Sequence, residues 1–337
     1  MSKPQLALDA LHAQATRPSD VSGRLTFLAL PSLVEQRTEY VLGVFAALGV
    51  TLRDAESQAL ARSIAHQTEQ GFARYASARL VINYKQLDAG RFTFNVSCER
   101  ITLAERYSEW VSRGEPLFGS HPDAMVEAVA RQLGEQNALR VLDVGAGNGR
   151  NTLALARYGH LVDALEGTPE FVEQIDFWAR RQQLRVRAIL TDFLEEELAC
   201  PESNYDLIVA SQVTSHFRDV DDLVMLFQRS GELLAPGGAL VMTIFIADEV
   251  TAAGEFAREA GQAHWSSFFS LSECDRAASD AGLTRAQDEQ VVAYERAHLP
   301  REAWPPTHWF VKWAEGRDLF PTPPAPIELR WHIYRKA

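Results

Sequence analysis

With 337 residues and 46% hydrophobic side chains, the chain can bury a large core, and its length suits two domains or one enlarged one. Its 33 basic residues against 45 acidic ones give a net charge of -12, which repels a phosphate backbone unless the basic groups gather on one face; no basic block is visible, so a nucleic-acid partner is not expected. Cys98, Cys200 and Cys274 are too scattered for a zinc knuckle or a disulfide framework, and no apolar run approaches the roughly 18 residues of a membrane span, so a cytoplasmic protein without membrane insertion is expected.

Residues 1–23 mix Pro, Ser, Asp and Gly with weak periodicity and read as a mobile tail. Between Ser32 and Ala78 two helical patterns follow: Val34, Val41, Phe45 and Leu48 share one face, then Leu60, Ile64, Phe72 and Tyr75 another, with a turn at Leu48-Gly49-Val50. The runs Arg79 to Tyr84 and Phe92 to Val96, placed around Asp88-Ala89-Gly90, predict a β-hairpin. Together with a helix over Leu103 to Ser112, this makes residues 24–114 a small, mainly helical α+β domain, expected to serve a substrate pocket or dimerisation. A homodimer is among the assemblies expected.

A helix at Ala124 to Gln136 leads to the apolar strand Arg140 to Val144, after which strand and helix signals alternate. Strands are predicted at Leu161 to Glu166, Val186 to Thr191, Tyr205 to Ser211 and Ala239 to Phe245, and helices at Asn151 to Tyr158, Pro169 to Arg181 and Asp221 to Leu234. Such alternation predicts an α/β fold, a doubly wound, mostly parallel sheet with helices on both faces. Gly159 is placed to cap one helix, and Thr168 with Pro169 to open the next. The remainder of a 115–337 domain reads as a helix at Leu271 to Ala281 and strands at Gln290 to Ala297 and Ile327 to Arg335. An aromatic insert at about 298–322 separates those two strands.

In an open parallel sheet, ligands bind at the carboxyl ends of the strands where the strand order reverses. Here the first strand runs into Gly145-Ala146-Gly147-Asn148-Gly149, and a helix follows at once, so the backbone can turn sharply and lie close to a ligand. Glycines stand at positions one, three and five of the loop, with Arg150 at the sixth, where a dinucleotide fingerprint places glycine. This GxGxG form, with Asp143 two residues ahead, is similar to motif I of class I S-adenosylmethionine-dependent methyltransferases.

The resemblance implies a seven-stranded sheet with a late antiparallel hairpin, and S-adenosylmethionine as the methyl donor, with S-adenosylhomocysteine as product. It implies that the loop backs onto the methionine portion of the cofactor. Glu166, at the end of the second strand nineteen residues beyond Gly147, with Gly167 after it, would hold the ribose hydroxyls; Asp163 is the competing acid but falls mid-strand. Asp192 and Phe193 match the position where a carboxylate takes the adenine amino group and an apolar neighbour packs on the ring. Ser211 and Gln212, followed by Val213 to Phe217, resemble the motif beside the reacting methyl group, and Leu234 to Gly238 matches the L-x-PGG turn.

Methyl transfer from a sulfonium needs alignment and exclusion of water more than it needs a catalytic group. A base matters only for a protonated acceptor, and His216 is then the candidate, although a histidine at that place can equally be a packing group. Tyr107 and Trp110 are candidates for a lid over the cofactor. Trp265, His308 and Trp309 are candidates for the acceptor pocket, although aromatic residues at such spacing more often build a core. No histidine spacing suggests a metal site. The expected acceptor is a small molecule, natural product or peptide. Two rival readings are a binding or regulatory protein that retains the fold without transfer, and a nicotinamide-dependent oxidoreductase, which the missing sixth-position glycine opposes.

Overall fold

The computed structural model describes residues 22–86, 92–99, 101–112, 118–135, 137–195 and 204–337. The tail reading over residues 1–21, the Asp88-Ala89-Gly90 turn and Cys200 lie outside them. The chain divides into two compact units, Met1–Arg100 and Ile101–Ala337. The division falls ahead of the Leu103–Ser112 helix, which the sequence pattern grouped with the N-terminal segment.

In the first unit, β1 (Ser22–Leu28), β2 (Arg79–Gln86) and β3 (Phe92–Cys98) form an antiparallel sheet in the order β1-β2-β3, packed with α1 (Val34–Ala47) and α2 (Asp54–Arg74). The strand β1 corrects the tail boundary at residue 23: Gly23, Leu25 and Phe27 alternate with Ser22, Arg24 and Thr26, and the former set turns inward. Gly23 stands opposite Tyr84, whose ring fills the space a side chain would take.

The second unit begins with α3 (Leu103–Ser112) and α4 (Ala124–Leu133). It continues with β4 (Arg140–Val144), α5 (Arg150–Arg157), β5 (Leu161–Glu166), α6 (Pro169–Arg181), β6 (Val186–Leu190), β7 (Tyr205–Ala210) and α7 (Val220–Leu233). Then come β8 (Leu234–Ala247), α8 (Glu249–Ala253), α9 (Glu255–Ala263), β9 (Phe268–Ser270), α10 (Leu271–Asp280), β10 (Leu283–Gln290), α11 (Val291–His298), α12 (Phe310–Ala314) and β11 (Ile327–Lys336). The strand order is β10-β11-β8-β7-β4-β5-β6, seven strands as expected, with the short β9 added beside the end of β8. Strands β4 to β8 pair in parallel, whereas β11 runs antiparallel to both β8 and β10.

Alternation along the strands sorts the core into two layers. Val141, Leu207, Val209 and Val241 face α4, α11 and α12; Leu142, Ile208, Leu240 and Met242 face α7 and α10. The aromatic insert belongs to the first layer, where Phe310 and Trp313 are buried and the Trp313 ring meets Phe245 edge-on at 5.1 Å.

One predicted strand is a helix. Residues 291–298 form α11, and the strand partner of β11 is instead Leu283–Gln290. Val and Tyr favour strands, but Val291 and Glu295 stand one helical turn apart and are both buried. The Glu295 carboxylate accepts the N–H groups of Ala124 and Met125 at the start of α4, and the Trp331 indole N–H at 3.0 Å. This tertiary anchor outweighs local propensity. Among the described residues no helix is long and apolar enough to cross a membrane.

Candidate active site

The chain passes from β4 outward through β5 and β6, then returns to β7 on the other side of β4, so the strand order reverses at the end of β4. The glycine loop lies there. Gly145, Gly147 and Gly149 have φ of +61°, +54° and +79°, a left-handed backbone that a Cβ disfavours. Space also requires two of them: a Cβ would stand 2.7 Å from Val213 at position 145 and 2.8 Å from Ile175 at position 149. Ala146 donates its N–H to the Leu165 carbonyl at 3.0 Å, tying the loop to the end of β5, while Asn148 accepts the N–H of Arg150 at 3.3 Å.

Glu166 completes this cup from β5. Its carboxylate accepts the N–H of Gly147 and the N–H of Thr168, both at 2.8 Å. Burial raises its pKa, and hydrogen bonding from the Gly147 backbone, from Thr168 and from the Gly167 backbone opposes that shift. Beside it Gly167 is exposed, with open space where a side chain would be. Just past the end of the neighbouring β6, Asp192 is exposed and accepts the N–H of Leu194 at 2.9 Å. Phe193 turns inward, 5% exposed, into the core layer of α7, with the Arg229 guanidinium 5.8 Å from its ring centre.

Asp143 points beneath the loop. It is 2% exposed and accepts the Thr152 hydroxyl at 2.5 Å, and burial pushes its carboxyl up to about 7. Its visible work is to hold α5 against β4.

Ser211 belongs to a second buried network that the sequence reading did not anticipate. Asp123 forms a two-pronged ion pair with Arg150, at 2.5 and 2.8 Å, and accepts the Asn151 amide at 2.9 Å and the Ser211 hydroxyl at 2.7 Å. Arg150, notable in sequence only for standing where a glycine was absent, thereby ties the glycine loop to the end of β7. Asp123 carried no signal beyond an acid ahead of a helix, because its partners lie 27 or more residues away. Gln212, next along, is held at φ +60° while donating its N–H to the Thr243 hydroxyl at 2.7 Å. Such strain on a non-glycine residue is often found at functional positions.

Three of the aromatic candidates come together with His216. The Tyr107 ring lies 5.5 Å from Trp110, 5.9 Å from His216 and 6.5 Å from Trp265, while Trp110 and Trp265 meet at 4.7 Å. Phe118 and Phe171 join them, each about 6.1 Å from Tyr107. Phe118 reaches the glycine loop, its ring standing 3.4 Å from where a Gly147 Cβ would be. The Tyr107 hydroxyl and His216 Nε2 share a hydrogen bond of 3.0 Å. Burial pushes the His216 pKa down to about 4, so the imidazole is neutral near pH 7. His308 and Trp309 do not join this cluster: His308 is exposed, and Trp309 packs on Phe310 and Trp313.

The profile of a methyltransferase domain family matches residues 107–287. The ubiquinone biosynthesis O-methyltransferase of Azorhizobium caulinodans is 28% identical over 114 residues, covering 34% of this chain and 43% of that protein. The protein of the same description from Actinobacillus pleuropneumoniae is 31% identical over 104 residues, covering 30% of this chain and 43% of that protein. The chain thus spans less than half the length of these two relatives. A solved geranyl diphosphate methyltransferase in complex with SAM superposes with a TM-score of 0.50 at 14% identity, over 64% of this chain and 85% of that one, a likeness of fold alone. With more than half of its 337 residues inside the matched profile, the chain belongs to the methyltransferase domain family, in the class I, S-adenosylmethionine-dependent fold.

Proposed function

We propose that this protein transfers the methyl group of S-adenosylmethionine to a small-molecule acceptor. The observation that carries the reading is the cup of Gly145 to Gly149 closed by the buried Glu166 carboxylate at the end of β5. The residues fit the cofactor: a loop whose positive φ values leave no Cβ in the way, and an exposed Asp192 at the adjoining strand end. The bound cofactor supplies an activated methyl group on a cationic sulfur.

The protein's share is to hold, orient and keep dry. Glu166 would hold hydroxyls and Asp192 would accept an amino group. The rings of Tyr107, Trp110, Phe118, Phe171 and Trp265 exclude water from the acceptor side, where desolvation favours attack on a cationic methyl donor. His216, neutral at working pH, is the group that takes a proton from a hydroxyl acceptor at Nε2, displacing the Tyr107 hydroxyl as its partner. The relatives' description as O-methyltransferases agrees with an oxygen acceptor.

Calorimetry with S-adenosylhomocysteine, followed by transfer of a labelled methyl group to a pool of hydroxylated small molecules, tests the proposal. Absence of binding rejects it. Binding without transfer to any acceptor favours the regulatory reading instead.

A further inference from the structure

The carboxylate that anchors α4 stands one link away from the cup. Helix α4 begins with Asp123 at its N-cap position, and an aspartate there ordinarily accepts N–H groups of its own first turn, but this one caps nothing. Glu295 of α11 fills that place from 171 residues away: one oxygen accepts the Ala124 N–H at 2.9 Å, and the other accepts the Met125 N–H at 3.2 Å and the Trp331 indole N–H at 3.0 Å. Asp123 is thereby left to other partners. Its backbone N–H reaches the Asn151 side-chain oxygen at 2.9 Å, and its carboxylate holds Arg150, Asn151 and Ser211. Arg150 and Asn151 follow Gly149 directly, and Ser211 directly precedes the strained Gln212. Asp123 and Glu295 are 5% and 1% exposed, so water cannot stand in for either.

We infer that Glu295 is a positioning residue of the cofactor cup: by gripping the first turn of α4 it sets where Asp123 stands, and through Asp123 it fixes the exit of the glycine loop and the end of β7. Its grip depends on its charge. Hydrogen bonds to an ionised acceptor are about twice as strong as neutral ones, and a negative group suits a helix N-terminus. The charged groups facing it are Asp123 from the start of α4 and Arg150 from the start of α5; β11 presents the Trp331 indole, and α12 adds the Phe310 and Trp313 rings of the same core layer. Tyr294 beside it is raised by burial and then by Glu295 and by Glu289 of β10, against Arg131 of α4, and stays neutral. Burial, with the Asp123 charge adding, pushes the Glu295 carboxyl up to about 7, against the pull of the two backbone N–H groups and Arg150. Above that value the carboxylate is charged and holds α4 firmly; below it the group is neutral and the hold slackens, so the cup binds S-adenosylhomocysteine more weakly as pH falls. Protonation also removes a like charge from beside Asp123, but Asp123 already has Arg150 as a two-pronged partner, so the weakened helix anchor decides the sign. This inference rests on the methyltransferase reading above, which supplies the ligand.

The test measures the Kd of S-adenosylhomocysteine by calorimetry for wild type and Glu295→Gln, at about pH 5.5 and about pH 8.5, either side of the Glu295 value, with thermal melts confirming that each protein is folded. Gln imitates the protonated acid at every pH. The variant should therefore match wild type within about twofold at the lower pH and bind about fivefold or more weakly at the higher. Asp143 and Glu166, both raised by burial, titrate alike in the two proteins and cancel from this ratio. A ratio that is the same at both pH values, whether near one or large, marks a merely structural role and overturns the inference, as does tighter binding by the variant at the higher pH. In Asp123→Asn the link is cut, and adding Glu295→Gln should leave the affinity within about twofold at both pH values; a larger effect there overturns the inference too. A wild-type affinity that does not fall between about pH 8.5 and about pH 5.5 overturns it with no variant at all. Absence of S-adenosylhomocysteine binding by the wild-type protein overturns the underlying methyltransferase reading instead.

Discussion

Substituting Glu166 by Gln separates the two tasks that its carboxylate combines. The charged group accepts two backbone N–H bonds, from Gly147 and Thr168, at 2.8 Å each. Hydrogen bonds to a charged acceptor contribute roughly 1.5–3 kcal/mol. Gln retains one oxygen, so one N–H keeps its acceptor and the other faces an amide NH2 group. Against that loss stands the burial that already disfavours the charged Glu166, and the net cost to stability is about 1–3 kcal/mol. For a unit of this size that is a fall in Tm of roughly 2–12 °C. The cofactor loses as well: a ribose that donates two hydroxyls to a carboxylate finds one acceptor and one donor in Gln. The expected loss in affinity is roughly 1–3 kcal/mol, or about 5- to 150-fold. Calorimetric titration of S-adenosylhomocysteine into both proteins, under conditions where both are folded, measures it. An affinity within twofold of wild type, in a variant whose Tm has fallen, refutes the ribose role and leaves Glu166 as a loop anchor only.

Three further outcomes follow from the same geometry. Gly149→Ala, at φ +79° and 2.8 Å from the Ile175 side chain, should cost about 2–4 kcal/mol in a denaturant titration, and more than Gly147→Ala, whose nearest neighbour is the Phe118 ring at 3.4 Å. Asp143 has its folded pKa raised from 3.8 to about 7, so the stability it contributes is complete below about pH 4 and is lost as pH rises towards 7. Asp143→Asn keeps an oxygen for Thr152 and should therefore gain on wild type across that window, by at most about 4 kcal/mol; parallel urea melts at pH 4 and pH 8 with no difference in the gap would contradict the buried carboxyl. His216→Gln should lower kcat for a phenolic acceptor by on the order of 100-fold with the KM for the methyl donor little changed, and because the His216 pKa is lowered to about 4, the wild-type rate should show no inflection from this group between pH 5 and 8. A wild-type inflection near 6.5 that disappears in His216→Gln would show the imidazole to be solvated in the working enzyme.

How much of this was legible beforehand depended on whether the signal was local. The apolar runs of β4, β5, β7 and β8 were readable because these strands of the doubly wound sheet are buried on both faces and so are nearly continuous in apolar residues. The glycine loop was readable because a left-handed turn between strand and helix admits little but glycine at Gly145, Gly147 and Gly149. The sequence position of Glu166 sufficed to place it at the loop, since strand ends in a parallel sheet lie side by side. The strand at residues 290–297 was misread where tertiary bonds through Glu295 overrode the β preference of Val291, Val292 and Tyr294.

What only the tertiary structure decided is which side chains share a space. Asp123, Arg150, Asn151 and Ser211 form one network across the start of α4, the start of α5 and the end of β7, with no common spacing to reveal it. Likewise Tyr107, Trp110, Phe118, Phe171, His216 and Trp265 come from segments up to 158 residues apart and pack in one cluster, whereas His308 and Trp309, equally aromatic on paper, are placed elsewhere by the packing of α12 against the sheet. The sequence alone determined the glycine loop, because its shape is written in consecutive backbone conformations. The acceptor side was left to the fold, because a pocket is a relation between distant side chains, set by how the layers pack.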